Sequence, residues 1–304
     1  VATEIIFQDG KWVGVANGQR IVKSYDQTRV VKMMAKAGYK SVPIRGDDVR
    51  AEVRGVAGDA VDPEQSAWNI NQRFQFVTDL VTMVARGRAV SLIVTGPGGL
   101  GKTHTVVAGL TAAGLKDVSG RETESPERSF KQIKGYSTAK GLYRELFMNK
   151  DSVIVFDDCD SVLRDPVALN LLKGALDSYD RRIISWNADL RDEDLPRSFI
   201  FNGRVVFISN MRRSQLDLAL KTRAYVVDLA MTRAQKLERM GVLAESDEFM
   251  PEMDRGHLRD SLQLIESVGD RAQEISLRSL QAVARIRAGG GRDWRNLAEY
   301  VLTQ

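Results

Sequence analysis

Gly96-Pro97-Gly98-Gly99-Leu100-Gly101-Lys102-Thr103 follows the pattern G-x-x-x-x-G-K-[ST], the spacing of a loop that wraps the phosphates of a nucleoside triphosphate. Its glycines let backbone N–H groups approach phosphate oxygens with no side chain in the way. Lys102 can set its charge on the β- and γ-phosphates, and the Thr103 hydroxyl can ligate Mg²⁺. A second run, Ser152-Val153-Ile154-Val155-Phe156, ends in Asp157 and Asp158. There Asp157 can hold Mg²⁺ directly or through water, and Asp158 can orient or deprotonate an attacking water. A third run, Val205-Val206-Phe207-Ile208-Ser209, ends in Asn210, whose amide can reach a γ-phosphate or that water. Lys221-Thr222-Arg223 then precedes Tyr225-Val226-Val227. A guanidinium at Arg223 can stabilise charge developing on the γ-phosphate of a neighbouring subunit. Ser276 reads as a helix N-cap. Arg278, just after it, opposes the helix dipole, as a residue meeting a phosphate would; a plain surface arginine fits the position almost as well.

These residues need elements to hold them. The apolar run 90–95 suits a buried strand entering the loop, and 103–110 suits a helix leaving it with its positive dipole end on the anion. A helix over 71–86 precedes them. Strands over 91–95, 129–133, 152–156, 205–209 and 225–229 alternate with helices, of which 138–147, 167–178 and 215–221 are the later ones. This alternation predicts an α/β fold whose parallel sheet is covered on both faces, and ligands gather at the carboxyl ends of such strands. Residues 181–186 and 197–203 read as an added hairpin ahead of the Asn210 strand, with Asn202-Gly203 as a turn signal. Its mixed arginines and aromatics suit contact with DNA or plain packing equally. Residues 1–45 read as a small ββα-like accessory domain that chooses a partner. Two short strands meet at Asp9-Gly10, a turn at Asn17-Gly18 leads into 20–23, and a helix runs over 28–37. Trp12, Arg20, Lys23, Lys32, Lys36 and Lys40 would let this domain touch nucleic acid, although its charge is ordinary for a small solvated domain. Polar residues 46–65 read as a linker, and Arg45-Gly46-Asp47 at its start as a solvated turn.

The 304 residues are 43% hydrophobic and 28% charged, with a net charge of +4. That composition is globular, and the mild basicity is compatible with a nucleic-acid partner without pointing to one. No run of about 18 apolar residues is present, so no membrane partner is expected. The opening residues lack the layout of a secretion signal. The single cysteine, Cys159, excludes an internal disulfide and fits a reducing, cytoplasmic setting, the host cytoplasm if the chain is viral. Cys159 reads as a small buried filler. Two histidines, His104 and His257, widely separated from it, make no zinc site and no hydrolase triad.

Phosphate loop, Asp-Asp strand, Asn-tipped strand, Arg before the last strand and a helical segment with Arg at a helix start together resemble an AAA+ ATPase. The resemblance covers residues 66–304 and leaves the first 45 outside it. Lys134-Gly135-Tyr136-Ser137 and Phe156-Asp157-Asp158-Cys159-Asp160 also resemble AAA+ proteins of bacteriophages. The resemblance implies a P-loop NTPase core over 66–231 and a helical lid over 232–304. It implies ATP and Mg²⁺ as cofactors. Gly96 to Thr103, His104 and Arg278 would bind nucleotide, with Thr103 and Asp157 at the metal. Lys102, Asp158, Asn210 and Arg223 would be catalytic. It also implies a homo-oligomeric ring of six that remodels DNA or a DNA-bound protein. The alternatives are a protein-threading unfoldase and a slowly hydrolysing, nucleotide-switched DNA loader. For a threading role Tyr136 would be a pore-loop aromatic; packing against its own helix is as good a reading. The family usually carries Glu where this chain has Asp158. The shorter carboxylate would hold water less well, which points to slow hydrolysis.

Overall fold

The chain divides into two units, Val1–Ala60 and Val61–Gln304. The computed structural model describes residues 3–8, 11–16, 19–24, 34, 66–135, 138–187, 195–272 and 274–304. In the first unit β1 (Thr3–Gln8), β2 (Lys11–Ala16) and β3 (Gln19–Ser24) form an antiparallel sheet in that order. A third strand thus joins the two expected ones, and its register against β2 shifts between Gly14 and Val15. The turns expected at Asp9-Gly10 and Asn17-Gly18, the linker over 46–65 and, Met34 apart, the helix over 28–37 lie outside the described residues.

The second unit opens with α1 (Ile70–Ala85), β4 (Ser91–Thr95), α2 (Lys102–Ala112), β5 (Lys116–Asp117) and β6 (Ser129–Lys134). It continues with α3 (Ala139–Met148), β7 (Val153–Asp157), α4 (Pro166–Ala175), β8 (Ile183–Ser185) and β9 (Ser198–Ile200). β10 (Arg204–Ile208), the single turn α5 (Leu218–Lys221) and β11 (Tyr225–Asp228) complete the sheet. Its six strands lie in the order β11-β4-β10-β7-β6-β5, and every pair is parallel.

Strand side chains alternate between faces, so each inner strand feeds two cores. Ile93, Ile154, Phe156, Val205 and Phe207 pack against α3 and α4. Leu92, Val94, Val155, Val206 and Ile208 pack against α1 and α2. Phe156 and Phe207, neighbours in register, stack with ring centroids 4.9 Å apart. Each such side chain taken fully out of water contributes about 1.5–3 kcal/mol. Four helices follow the sheet: α6 (Arg233–Ala244), α7 (Arg255–Val268), α8 (Leu277–Ala288) and α9 (Trp294–Thr303). They enclose a third core that includes Met240, Leu258, Ile265, Leu280 and Ala298. The fold is therefore the expected α/β sandwich with a helical C-terminal subdomain. Arg73 of α1 ties the two parts together, donating to the Asp228 and Ala230 carbonyls and to Gln235 of α6.

β8 and β9 pair antiparallel, as the added hairpin requires. Several of its aromatics and one of its arginines turn inward. Phe199 packs edge-on to Tyr143 and Phe147. Buried Arg182 lies over Phe201 and donates to the carbonyls of Ala175 and Gly203. The first of these bonds satisfies the open C-terminus of α4, which ends at Ala175 rather than running on to 178. Gly203 serves a close approach rather than a hairpin turn. A Cβ there would lie 2.7 Å from the Ser152 carbonyl oxygen and 2.8 Å from that of Asn149. Gly203→Ala should therefore cost about 1–3 kcal/mol through forced backbone shifts, read as a lower urea midpoint; an unchanged midpoint would show that this seam yields freely.

Candidate functional site

β10 pairs with β4 on one side and β7 on the other, matching Ile208 to Val94 and to Asp157. That register brings the loop after Thr95, the Asp157-Asp158 pair and Asn210 to one edge of the sheet. A cavity of about 700 Å³ opens there, a size ordinary for a small-molecule site. Gly98 to Thr105, Asp157, Asp158, Asn210 and Arg278 line it.

The loop's shape comes from its glycines. Gly96, Gly99 and Gly101 have φ of 134°, 71° and 90°, a region costly for other residues. Gly99 also lies under α8, where an added Cβ would sit 3.0 Å from Ser276 Cβ. The Leu277 N–H donates to the Gly99 carbonyl at 2.8 Å, fastening the helical subdomain to the loop. Gly96 does not line the cavity; its backbone presses on Leu229 at the end of β11. Pro97 stays outside the lining too, and Leu100 is buried as packing.

Lys102 opens α2 and is 5% exposed. Its ammonium has three protons, and three acceptors face it. These are the carbonyls of Gly96 at 2.6 Å and Pro97 at 2.8 Å, and Asn210 Oδ1 at 2.9 Å. The other side of the Asn210 amide, Nδ2, donates to Asp158 Oδ1 at 2.7 Å. A continuous hydrogen-bonded chain therefore runs from Lys102 through Asn210 to Asp158. Burial lowers the Lys102 pKa from its ordinary 10.5 to about 8; Asp158, Asp157 and Asp160 offset part of that, and Arg278 adds to it.

Thr103 Oγ1 donates to the Asp157 carboxylate, 3.0 Å from Oδ1 and 3.1 Å from Oδ2. Two residues from β6, neither assigned to this site from the sequence, also face Asp157. Gln132 Nε2 donates to Oδ2 at 3.0 Å, and Lys134 Nζ lies 3.6 Å from the same oxygen. The sequence signal for them is the presence of three polar residues, Lys131, Gln132 and Lys134, inside an inner strand. A hydroxyl beside a carboxylate is a hard-oxygen donor set that suits Mg²⁺. Among the described residues no group of three His, Cys, Asp or Glu side chains is placed to hold a metal. The set therefore fits Mg²⁺ arriving with phosphate oxygens, which supply the missing ligands.

Asp158 is held in the left-handed region, φ 56°, with its N–H bonded to the Ile208 carbonyl. The neighbouring turn is fixed by Ser209 Oγ donating to Asp160 at 2.6 Å. Cys159 is buried, and burial pushes its thiol up to about 11, leaving it un-ionised at neutral pH. His104 is exposed on α2 at the cavity wall, and Arg278 is exposed at the start of α8.

Arg223 is not brought to this edge. Its carbonyl accepts from Ser91 Oγ at the opposite end of β4, a strand length or about 13 Å from the loop. Its side chain bonds the Ala219 carbonyl and lies 3.9 Å from Asp177. Tyr136, the proposed pore-loop residue, lies outside the described residues.

No protein-family model matches the chain. An uncharacterized 36.7 kDa protein from the nrdC-mobD intergenic region of Enterobacteria phage T4 is 33% identical over 153 residues. That match covers 49% of this chain and 44% of the phage protein, so the chain spans less than half of that relative's length. Solved structures similar in layout include the RuvB Holliday junction branch migration motor of Thermotoga maritima, at 14% identity and TM-score 0.42, covering 81% of this chain and 73% of that one. Domain III of the Thermotoga maritima replication initiation protein DnaA matches at 14% and TM-score 0.43, covering 82% and 96%. The FIGL-1 AAA domain matches at 14% and TM-score 0.42, covering 83% and 89%. At such identities the likeness is one of layout, and the chain's own residues carry its chemistry.

The lowered Lys102 pKa has a measurable consequence. Because the folded value lies below the unfolded one, the native state sheds this proton first as pH rises. The nucleotide-free chain should thus gain stability between pH 8 and about 10.5, by up to about 3 kcal/mol from this group. Urea unfolding of the wild type and Lys102→Met across that range should diverge; parallel curves would contradict the assignment.

Proposed function

We propose that this protein is an ATPase of the AAA+ type, which binds Mg-ATP in the cavity above β4, β7 and β10 and hydrolyses it with help from a neighbouring copy. The observation that carries this reading is the chain of bonds Lys102–Asn210–Asp158 at the mouth of a glycine loop. It joins a phosphate-binding cation to a water-orienting carboxylate through one amide.

Phosphate oxygens would replace the Gly96 and Pro97 carbonyls as partners of Lys102, giving a buried ammonium whose hydrogen-bond partners are all uncharged a direct counter-charge. Thr103 and Asp157 would hold Mg²⁺, which when bound neutralises charge on the phosphates. Once Lys102 turns to phosphate, Asn210 Oδ1 loses its donor and is free to accept from the attacking water. Asp158 would orient that water or take its proton. Arg278, reaching over Gly99 from α8, would let the helical subdomain sense the triphosphate. Arg223 lies too far from its own loop to act there, so it would serve the site of the next subunit in a homo-oligomeric ring. The work done by the ring would be remodelling of DNA or a DNA-bound protein, a reading that the net charge of +4 supports only modestly.

A second reading is favoured by Asp158 itself. The side chain is short, its backbone is held at φ 56°, and its carboxylate is tied to Asn210. Such a group suits a switch that holds ATP and turns over slowly.

Purified protein should hydrolyse ATP, and Lys102→Ala should lose tight binding and on the order of 100-fold in turnover. Undiminished hydrolysis in that variant would defeat the proposal. DNA that speeds hydrolysis, with an effect falling steeply with salt, would support the DNA reading; stimulation by unfolded polypeptide alone would replace it with threading.

A further inference from the structure

Away from the glycine loop, the cavity is lined by α1, α2, α6 and α8 and by Glu248 to Met250 in the segment after α6. Asn71 and Phe74 come from α1, Ala108 and Ala112 from α2, and Arg239 from α6. At 1.5 Å per helical residue, Ala108 and Ala112 stand about 9 and 15 Å beyond Lys102 along α2. A nucleoside triphosphate with its phosphates on the loop would have to lay its base along this wall, because the cavity continues in that direction.

Arg239 is the unusual member of this wall. Its guanidinium lies 4.2 Å over the Phe74 ring centroid, and Nη1 donates to Asn71 Oδ1 at 3.0 Å. Nε is buried with no hydrogen-bond partner. Among the described residues no carboxylate forms an ion pair with it; the nearby Glu238 carboxylate accepts from Asn71 instead. Burial lowers the Arg239 pKa with no acidic group offsetting it. A partly buried cation held flat by an aromatic ring and an amide, yet lacking a counter-charge, is costly unless something else contacts it. A guanidinium engaged on one face by Phe74 retains a second planar surface suited to another π-system.

We propose that Arg239 is the base-contacting residue of this site, stacking its guanidinium on the purine ring of the bound nucleotide while Phe74 and Asn71 hold it in place. The inference rests on the nucleotide-binding reading above and adds which part of the ligand the helical subdomain grips. Because Arg239 belongs to α6 and its partners to α1, a stacked base would also hold those two helices together. The wide π-face of a purine gains more from a stacked cation than that of a pyrimidine.

The test is calorimetric titration of the full chain with ATP, CTP and inorganic tripolyphosphate, each with Mg²⁺. Wild type should bind ATP more tightly than CTP, and CTP more tightly than tripolyphosphate. Arg239→Ala and Arg239→Met should weaken ATP on the order of tenfold or more and leave tripolyphosphate unchanged. That unchanged affinity also certifies that the variants are folded. Equal weakening of ATP and tripolyphosphate, or an unaltered ATP affinity, would overturn the proposal. So would a wild type that binds ATP no better than tripolyphosphate. Failure of the wild type to bind any of the three would instead defeat the nucleotide-binding reading itself, a result separable from the others.

Discussion

The pairing of one strand, β10, with two neighbours is the constraint on which the site depends. Ile208 is held beside Val94 and beside Asp157 at once. A slip of one residue in either ladder would turn every side chain of a strand to the opposite face. It would move Phe207 out of its stack with Phe156 and carry Asn210 away from both Lys102 and Asp158. The apolar packing on the two faces of the sheet therefore fixes the polar geometry at its edge. Core residues such as Val206 and Phe207 thereby set the distances among Lys102, Asn210 and Asp158.

The same edge is where stability is given up. Lys102 is buried with a pKa lowered to about 8, and Asp158 adopts a left-handed backbone. Both features cost the folded state something, and in the proposed reading both would be relieved or used on the arrival of an anion. Strain and uncompensated charge gather at functional sites for this reason. In the proposed cycle the phosphates take over Lys102, which frees Asn210, which in turn controls Asp158. Binding and water orientation would then be linked through a single amide rather than through a large movement. The helical subdomain would share in this through Leu277 on Gly99, Arg278 over the loop and Arg239 at the base.

Much of this was legible before the fold was known, because the relevant residues sit at the ends of elements whose type is announced locally. The glycine loop, the Asp-Asp pair and Asn210 each follow an apolar run that can only be an inner strand. The helix over Ile70–Ala85 and the strands β4, β7 and β10 fall within a residue or two of their expected bounds. What was missed depends on partners distant in sequence. Gln132 and Lys134 reach Asp157 only because β6 lies beside β7. Arg239 meets Phe74 only because α6 folds back against α1. The two-residue strand β5 exists through its pairing with Ser129 and Phe130, not through its own propensity. The helix expected over 215–221 is broken into a turn and Leu218–Lys221 because Asp217 accepts from the Ala219 N–H and starts the helix afresh. Gly96 and Gly203 were recognisable as special, but the backbone each one approaches was not.

In the proposed reading one chain carries only part of the site, its loop on one edge of the sheet and Arg223 at the other end of the strands. Mixing two inactive variants separates this arrangement from a site complete in one chain. Lys102→Ala keeps Arg223 but cannot grip phosphate, whereas Arg223→Ala grips phosphate but has nothing to offer a neighbour. Steady-state ATP hydrolysis by each variant alone should be near background, and by their mixture it should rise as subunits exchange, because some interfaces then pair an intact loop with an intact arginine. A mixture as inactive as its parts, with Arg223→Ala still binding ATP and both variants assembling together, would show that Arg223 does not complete a neighbour's site.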